Sequence, residues 1–380
     1  MNRKNNFVGL LPVLFSFFVM GFADLVGVAT SYVKADFALN DRIANLLPLM
    51  VFLWFAVFSL PTGVLMGRIG RRRTVMASAA VTFVAMLLPL VDYTFPVVLT
   101  AFALLGIGNT MLQVSLNPLL ADVVGEAHTT SMLTFGQFIK AVCAMLGPVL
   151  VGVAAGVWGN WRLIFPLYAL ITLLSWLWMA RLKVDESRSE AVSVRGIRTL
   201  LADGYVWMLL SIIVLGVGFE IGLTTVVPKY FTERCALPLD RAAMGCSLYY
   251  MARTAGTFGG AIVLARVSSR RFLTGSMVLA LVALVLFMTA TNATLLFAAL
   301  FVLGLSCANI FSITFSAALK SAPDRANEVS GLMIMGVAGG ALLPPIMGVV
   351  ADMSNQWTSL FVLGFALLYI FVASLKLKNN

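Results

Sequence analysis

Long apolar segments run through the chain from end to end, and they constrain its fold more than any other feature. Twelve segments are each long enough to cross a bilayer, which takes about 20 residues in a helix. They lie at roughly 8–33, 44–66, 73–92, 96–122, 130–156, 161–181, 205–231, 242–265, 272–290, 293–318, 328–351 and 357–376. Because hydrocarbon offers the backbone no hydrogen-bond partners, spanning segments must be helices or closed barrels. We therefore predict an all-α integral membrane protein with twelve spans, numbered here in chain order.

The basic residues are distributed unevenly between the loops. With a cytoplasmic N-terminus, the cytoplasmic loops collect Arg68, Arg71, Arg72, Arg73, Arg266, Arg270, Arg271, Lys320 and Arg325. The outer loops receive Lys34, Arg42, Arg162, Lys229, Arg234 and Arg241. This positive-inside bias predicts a multi-pass protein of the bacterial cytoplasmic (inner) membrane with both termini in the cytoplasm. It also accounts for the net charge of +10 without a nucleic-acid partner.

Patterns typical of catalysis and of metal or nucleotide binding are missing from the sequence. The four cysteines have no metal-ligand spacing, and the single histidine has no partner motif. Ser-His-Asp, Walker and zinc patterns are likewise absent. We expect no catalytic residues, no metal and no cofactor, and therefore neither an enzyme nor a nucleotide-driven pump.

The two halves of the chain repeat each other at an offset of about 197 residues. The basic turn at 67–72 recurs at 265–271, and Gly-Pro-Val-Leu-Val-Gly at 147–152 has a counterpart in Pro-Pro-Ile-Met-Gly at 344–348. We predict a six-helix bundle at 1–181, a charged cytoplasmic linker at 182–204 and a second six-helix bundle at 205–380. The bundles are expected to be related by pseudo-twofold symmetry.

This six-plus-six layout resembles the major facilitator transporters, which bind substrate near the membrane midplane between the halves. The sequence Gly-Val-Leu-Met-Gly-Arg-Ile-Gly-Arg-Arg at 63–72 resembles that superfamily's loop G-x-L-x-D-R-x-G-R-R/K, with Gly67 in place of the acid. The resemblance implies a cytoplasmic gate motif made of Gly63, Arg68, Gly70, Arg71 and Arg72.

A narrower resemblance, to the fucose–galactose–glucose/proton symporter family, covers nearly the whole chain. Its most specific part is the eleventh span, Ser330 to Gly348, and Gly218-Phe-Glu-Ile-Gly222 and Gly21-Phe-Ala-Asp24 agree with it. The resemblance implies proton-coupled sugar transport with a functional aspartate at Asp24. The chain departs from the family pattern in having Gln113 in place of an acid, Lys140 in place of a neutral amide, and Arg253.

Four charged residues lie near the middle of apolar spans: Asp24, Lys140, Glu220 and Arg253. Each ionised group costs roughly 2.5–3.5 kcal/mol at the centre of a membrane helix, so such groups face a watery cavity or one another. We predict Asp24 and Glu220 as proton-coupling residues. Asp24 is expected to pair with Lys140 when it is ionised, and Glu220 alternatively pairs with Arg253 and only locks its helices together.

Polar side chains at helical spacing mark the faces that could bind a hydroxylated ligand. The predicted substrate-binding residues are Gln113, Asn117, Gln137, Lys140, Tyr249, Arg253 and Asn309. The alternative for the amides is that they hydrogen-bond neighbouring helices, and for the tyrosine that it packs.

The sequence thus predicts a secondary transporter, acting as a monomer in the lipid bilayer, that moves a sugar or sugar derivative with H⁺, or alternatively with Na⁺. One alternative function is a symporter for a sugar acid or other organic anion, with Lys140 or Arg253 binding the carboxylate. A multidrug exporter and a nontransporting membrane sensor are two more functions that this pattern of spans and charges allows.

Overall fold

The computed structural model of the protein describes residues 3–39, 41–44, 46–182, 199–237 and 239–378. These residues are nearly all helical, and none of them lies in a strand, which confirms the predicted all-α class. The charged part of the predicted linker, residues 183–198, lies outside the described residues.

The described helices follow the predicted spans closely. They are Arg3–Met20, Val26–Asp36, Asp41–Ala44, Leu46–Ile69, Arg71–Val91, Phe95–Val124, Thr129–Trp158, Ile164–Ala180, Gly204–Cys235, Leu239–Leu264, Ser269–Thr289, Ala293–Cys307, Ile310–Ser321, Ala326–Met335, Leu343–Met353 and Gln356–Ser374. Short 3₁₀ segments interrupt the first span at Gly21–Leu25 and the eleventh at Gly336–Ala341, and the tenth span breaks between its two helices.

Eleven of the twelve spans contain helices that are long and apolar enough, over the described residues, to cross a membrane. The eighth span, Leu239–Leu264, is a helix of 26 residues that is not one of these eleven. Its sequence is rich in glycine, threonine and tyrosine and carries Arg253, all of which lower its hydropathy. A less apolar spanning helix is consistent with a face turned away from lipid.

The chain forms two compact units. The first unit comprises Met1–Thr129, Ile139–Thr199 and Ala322–Met335, and the second comprises Thr130–Phe138, Leu200–Ser321 and Gly336–Asn380. The boundary therefore falls inside the fifth and eleventh spans. The division at 1–181 and 205–380 describes the repeat in the sequence and stays a prediction.

Close helix packing in each unit depends on glycines. In the first unit, a Cβ atom at Gly106 would lie 2.5 Å from the carbonyl oxygen of Val51. In the second unit, a Cβ atom at Gly304 would lie 2.6 Å from the carbonyl oxygen of Tyr249. Spanning helices associate through such close contacts because lipid provides little hydrophobic drive between them.

The loop ends of the first unit are joined by a polar and aromatic cluster. The Asp36 carboxylate accepts hydrogen bonds from the Tyr93 hydroxyl at 2.6 Å and from the Trp161 indole at 2.9 Å. The Arg162 guanidinium lies 4.5 Å from the centre of the Tyr93 ring. Burial and the bond to Asp36 raise the pKa of Tyr93. The cluster connects the loop ends of the first, third and sixth spans.

Candidate functional site

Asp24 lies in the 3₁₀ segment Gly21–Leu25, where the first span loses its α-helical geometry. Its neighbours Ala23 and Leu25 are buried, whereas the Asp24 side chain is exposed. Interruptions of this kind inside spanning helices are tolerated where the backbone lines a cavity or is covered by protein. An exposed carboxylate in the interior of a span is costly in lipid, so the position favours contact with water or a solute.

Lys140 reaches the same region of the first unit from the fifth span. A Cβ atom at Gly21 would lie 2.8 Å from the Lys140 carbonyl oxygen and 2.7 Å from the Cβ atom of Cys143. The two helices therefore cross at Gly21, one turn away from Asp24.

The expected ion pair between Asp24 and Lys140 is not formed. Among the described residues, no salt bridge within 4.0 Å joins either side chain to an opposite charge. The Lys140 side chain is partly buried. The acid and the base therefore lie on two spans that cross at Gly21, and their side chains do not form an ion pair.

The second unit contains an equivalent helix crossing. Gly218 in the seventh span, 197 positions after Gly21, approaches the eleventh span, where a Cβ atom would lie 3.2 Å from the Gly339 carbonyl oxygen. Gly339 belongs to the second 3₁₀ segment. The repeat seen in the sequence thus reappears as a repeated close contact between spans.

The two charged residues of the second unit form a salt bridge. The Arg253 guanidinium lies 3.0 Å from the Glu220 carboxylate, and their side chains are 30% and 15% exposed. Tyr249, one turn before Arg253, is fully buried, and its ring packs edge-on against Tyr250 at 5.6 Å. The alternative expectation of a pair between Glu220 and Arg253 matches this geometry, while the proton-coupling role of Glu220 stays a prediction.

Three of the four predicted amides are more deeply buried than the charged residues. Gln113 and Asn117 are buried on the fourth span, where the Asn117 amide donates 2.7 Å to the Gln113 carbonyl oxygen. Asn309 is buried at the break in the tenth span and donates 3.0 Å to the Gly256 carbonyl oxygen. The Asn117 bond lies within the fourth span, whereas the Asn309 bond joins the tenth span to the eighth, and both amide oxygens are buried without a hydrogen-bond partner among the described residues. Gln137 is partly buried, and its amide nitrogen has no hydrogen-bond partner among the described residues.

The basic turn of the first unit is organised around Arg71, which is buried. Its guanidinium lies 2.5 Å from Asp122 at the end of the fourth span and donates 2.9 Å to Asn327 of the eleventh. Gly63 allows close approach in the same region, since a Cβ atom there would lie 3.0 Å from the Asn327 carbonyl oxygen. Gly70 has a φ of 90°, which favours glycine.

The other two arginines of the turn differ from Arg71. Arg72 donates to the carbonyl oxygens of Met179 and Ala180 at the end of the sixth span, at 3.1 and 2.5 Å, and Arg68 is exposed. Sequence reasoning missed Asp122 and Asn327 as partners of Arg71. An aspartate at the end of the fourth span, together with a basic motif that lacks its own acid, was the available signal for Asp122.

Replacing Glu220 by Gln should test whether its pair with Arg253 takes part in proton transfer. Removing the carboxylate breaks the salt bridge to Arg253, so we expect about 1.5–3 kcal/mol lower stability, the usual contribution of a charged hydrogen bond. If Glu220 also titrates during transport, the pH profile of uptake shifts in the variant. The control is Glu233→Gln, at an exposed acid of the same span. Lower stability with an unchanged pH profile would make Glu220 a purely structural residue.

Comparison with known proteins identifies the family. The sequence model of the Major Facilitator Superfamily matches residues 13–336. The chain belongs to the Major Facilitator Superfamily. This confirms the resemblance seen in the basic turn and in the six-plus-six layout.

Relatives within the Major Facilitator Superfamily agree with the narrower resemblance. The "Glucose/galactose transporter" of Brucella abortus biovar 1 (strain 9-941) is 24% identical over 370 residues, covering 92% of this chain and 89% of that protein. The crystal structure of the transporter FucP in the outward conformation superposes with a TM-score of 0.88 at 16% identity, covering 99% of this chain and all of FucP. The proton:xylose symporter XylE bound to 6-bromo-6-deoxy-D-glucose has a TM-score of 0.75 at 14% identity, covering 100% and 97% of the two chains. The two structures establish the shared fold.

Proposed function

We propose that the protein is a secondary active transporter that moves a sugar or sugar derivative across the bacterial inner membrane by symport with protons. Its membership of a superfamily of transporters supports the general class. The Brucella relative is described as a glucose/galactose transporter, FucP as a fucose:proton symporter and XylE as a proton:xylose symporter. These descriptions support sugar as the cargo and H⁺ as the coupling ion.

Asp24 is the observation that carries the proposal. It is an exposed carboxylate in the interior of the first span, with no ion pair among the described residues. A carboxylate in this position can take up a proton from water without first breaking a salt bridge. Protonation removes the charge that makes the group costly in a low-dielectric environment, so the protonation state of Asp24 can bias a conformational equilibrium.

In the mechanism we propose, alternating access exposes the substrate site first to one side of the membrane and then to the other. Binding of sugar and proton together favours the transition, and release of both resets it. The interruptions at Gly21–Leu25 and Gly336–Ala341 are positions where the first and eleventh spans can bend. We propose that the protein works as a monomer with both termini in the cytoplasm.

Counterflow in proteoliposomes tests whether the protein is a carrier. Vesicles preloaded with unlabelled D-galactose or D-glucose should transiently concentrate the labelled sugar from outside, because a carrier exchanges solute without an applied gradient. Protein-free vesicles, and vesicles preloaded with the unrelated solute glycine, serve as controls. If neither sugar nor any sugar derivative gives counterflow while the protein still binds it, a sensor becomes the better description.

A further inference from the structure

Salt bridges stabilise three of the arginines that lie in or near the spans of the described residues. Arg71 contacts Asp122 at 2.5 Å, Arg253 contacts Glu220 at 3.0 Å, and Arg325 contacts Glu328 at 2.5 Å. In each case the base has a carboxylate supplied by the protein. Lys140 differs, because no carboxylate of the described residues lies within 4.0 Å of it.

The absence of a carboxylate close to Lys140 is energetically costly because of where this lysine lies. The side chain is partly buried in the interior of the fifth span, at the point where the Lys140 carbonyl packs against Gly21. An ammonium group has three donors and no acceptor, so a neighbouring acceptor of negative charge stabilises it best. Asp24 lies one turn along the first span from Gly21, but its carboxylate does not form an ion pair with the ammonium group.

The charged groups of Asp24 and Lys140 have complementary hydrogen-bonding characters. One is an exposed carboxylate, which only accepts hydrogen bonds when ionised, and the other is an ammonium group, which only donates them. A ligand that fits both groups offers hydroxyl donors to Asp24 and an acceptor to Lys140. A carboxylate satisfies Lys140 better than a hydroxyl does, because it adds the attraction between two full opposite charges to the hydrogen bond.

We propose, on the basis of the proposed sugar-transport function, that Lys140 is a specificity-determining residue and that the preferred cargo is a sugar acid. The ligand's carboxylate binds the Lys140 ammonium group, and a ring hydroxyl donates to Asp24. The hexuronates, which carry one carboxylate on a hexose ring, are the simplest members of this class. Neutral hexoses bind the same two groups with lower affinity because they leave the Lys140 charge without an anion.

Isothermal titration calorimetry on the purified full-length protein tests the proposal with two matched pairs, D-galactose with D-galacturonate and D-glucose with D-glucuronate. At one pH and one ionic strength, we expect the wild type to bind at least one uronate about tenfold or more tightly than its hexose, a factor typical of one additional strong contact. In Lys140→Gln, the uronate affinity should fall by about 30-fold or more, as expected when a buried charge pair loses one partner.

The hexose affinities should change by less than about threefold in Lys140→Gln, because a neutral amide can still donate a hydrogen bond. Lys229→Gln is the matched control, at a lysine near the outer end of the seventh span, and should bind all four ligands like the wild type. Thermal unfolding of each variant shows whether the variant is folded, so that a loss of affinity can be distinguished from a loss of structure.

A wild type that prefers hexoses, or a uronate affinity that is equal in wild type and Lys140→Gln, overturns the assignment of Lys140 while leaving sugar transport intact. If neither hexoses nor uronates bind and none gives counterflow, both this proposal and the proposed function fail. The two failures are therefore distinguishable in the same set of measurements.

Discussion

Proteoliposomes that contain the Asp24→Asn variant should lose proton-driven accumulation of the transported sugar while retaining part of its binding and exchange. The substitution keeps the shape and hydrogen-bonding capacity of the side chain but removes its titration. Since Asp24 is an exposed carboxylate without a salt bridge among the described residues, the change leaves no buried base without its ion-pair partner. The accumulation ratio under an imposed pH gradient should approach one, and counterflow should persist.

The control for this experiment is Asp352→Asn, which neutralises an exposed aspartate near the end of the eleventh span. This variant should accumulate sugar like the wild type, so that a general effect of lost negative charge is excluded. If Asp24→Asn accumulates sugar at the wild-type level, Asp24 is not the coupling residue. If it loses counterflow as well as accumulation, Asp24 is required for binding or for the conformational cycle itself.

The fold could be predicted from the sequence because hydropathy and helix length are properties of each segment taken alone. The eighth span was the hardest case for composition, since Arg253 and its small or polar neighbours lower its hydropathy. The sequence predicted a span at 242–265, and the structure forms the helix Leu239–Leu264, which is not one of the eleven helices apolar enough to cross a membrane. The 3₁₀ interruption at Gly21–Leu25 had no comparable signal, because one glycine in an apolar run does not specify a change of helix type.

The partners of the charged residues could be predicted only in part. The sequence placed Glu220 and Arg253 on adjacent spans, and their contact depends on helix rotations that happen to bring them together. The same reasoning placed Asp24 beside Lys140, but their side chains do not meet, because a rotation or translation of a fraction of a helical turn is enough to separate two groups. Spacing along a helix identifies a shared face, whereas contact across helices is set by packing.

The depth at which the amides are buried could not be predicted from their spacing along the helix. The helical pattern placed Gln113 and Asn117 on one face of the fourth span, and that face is buried. Polar residues inside a spanning helix bind a ligand or a neighbouring helix with the same donors and acceptors, so their residue types do not distinguish the two roles. How deeply each amide is buried is therefore information that the structure provides and the sequence does not.

Loss of the Arg71 guanidinium should lower the stability of the protein more than the loss of any exposed charge. Arg71 and Asp122 are only 3% and 8% exposed, and removing one partner of a buried ion pair costs about 3–5 kcal/mol because the other charge stays buried. Arg71 also donates to Asn327, so it connects the third span to the fourth and to the eleventh within the first unit. Arg71→Ala should therefore unfold in detergent at a clearly lower temperature than the wild type.

Matched variants separate the contributions of the ion pair and of the Asn327 hydrogen bond to the lower unfolding temperature of Arg71→Ala. Arg73→Ala removes an exposed arginine from the same turn and should change stability by less than about 0.5 kcal/mol, the usual range for surface substitutions. Asn327→Ala removes only one neutral partner of Arg71 and should cost about 1–3 kcal/mol. In the double variant Arg71→Ala/Asp122→Ala, neither charge of the pair remains buried, so its loss of stability should be smaller than the sum of the losses in the two single variants. Additive effects of the two single substitutions, or equal unfolding temperatures for Arg71→Ala and Arg73→Ala, would show that the pair does not hold the three spans together.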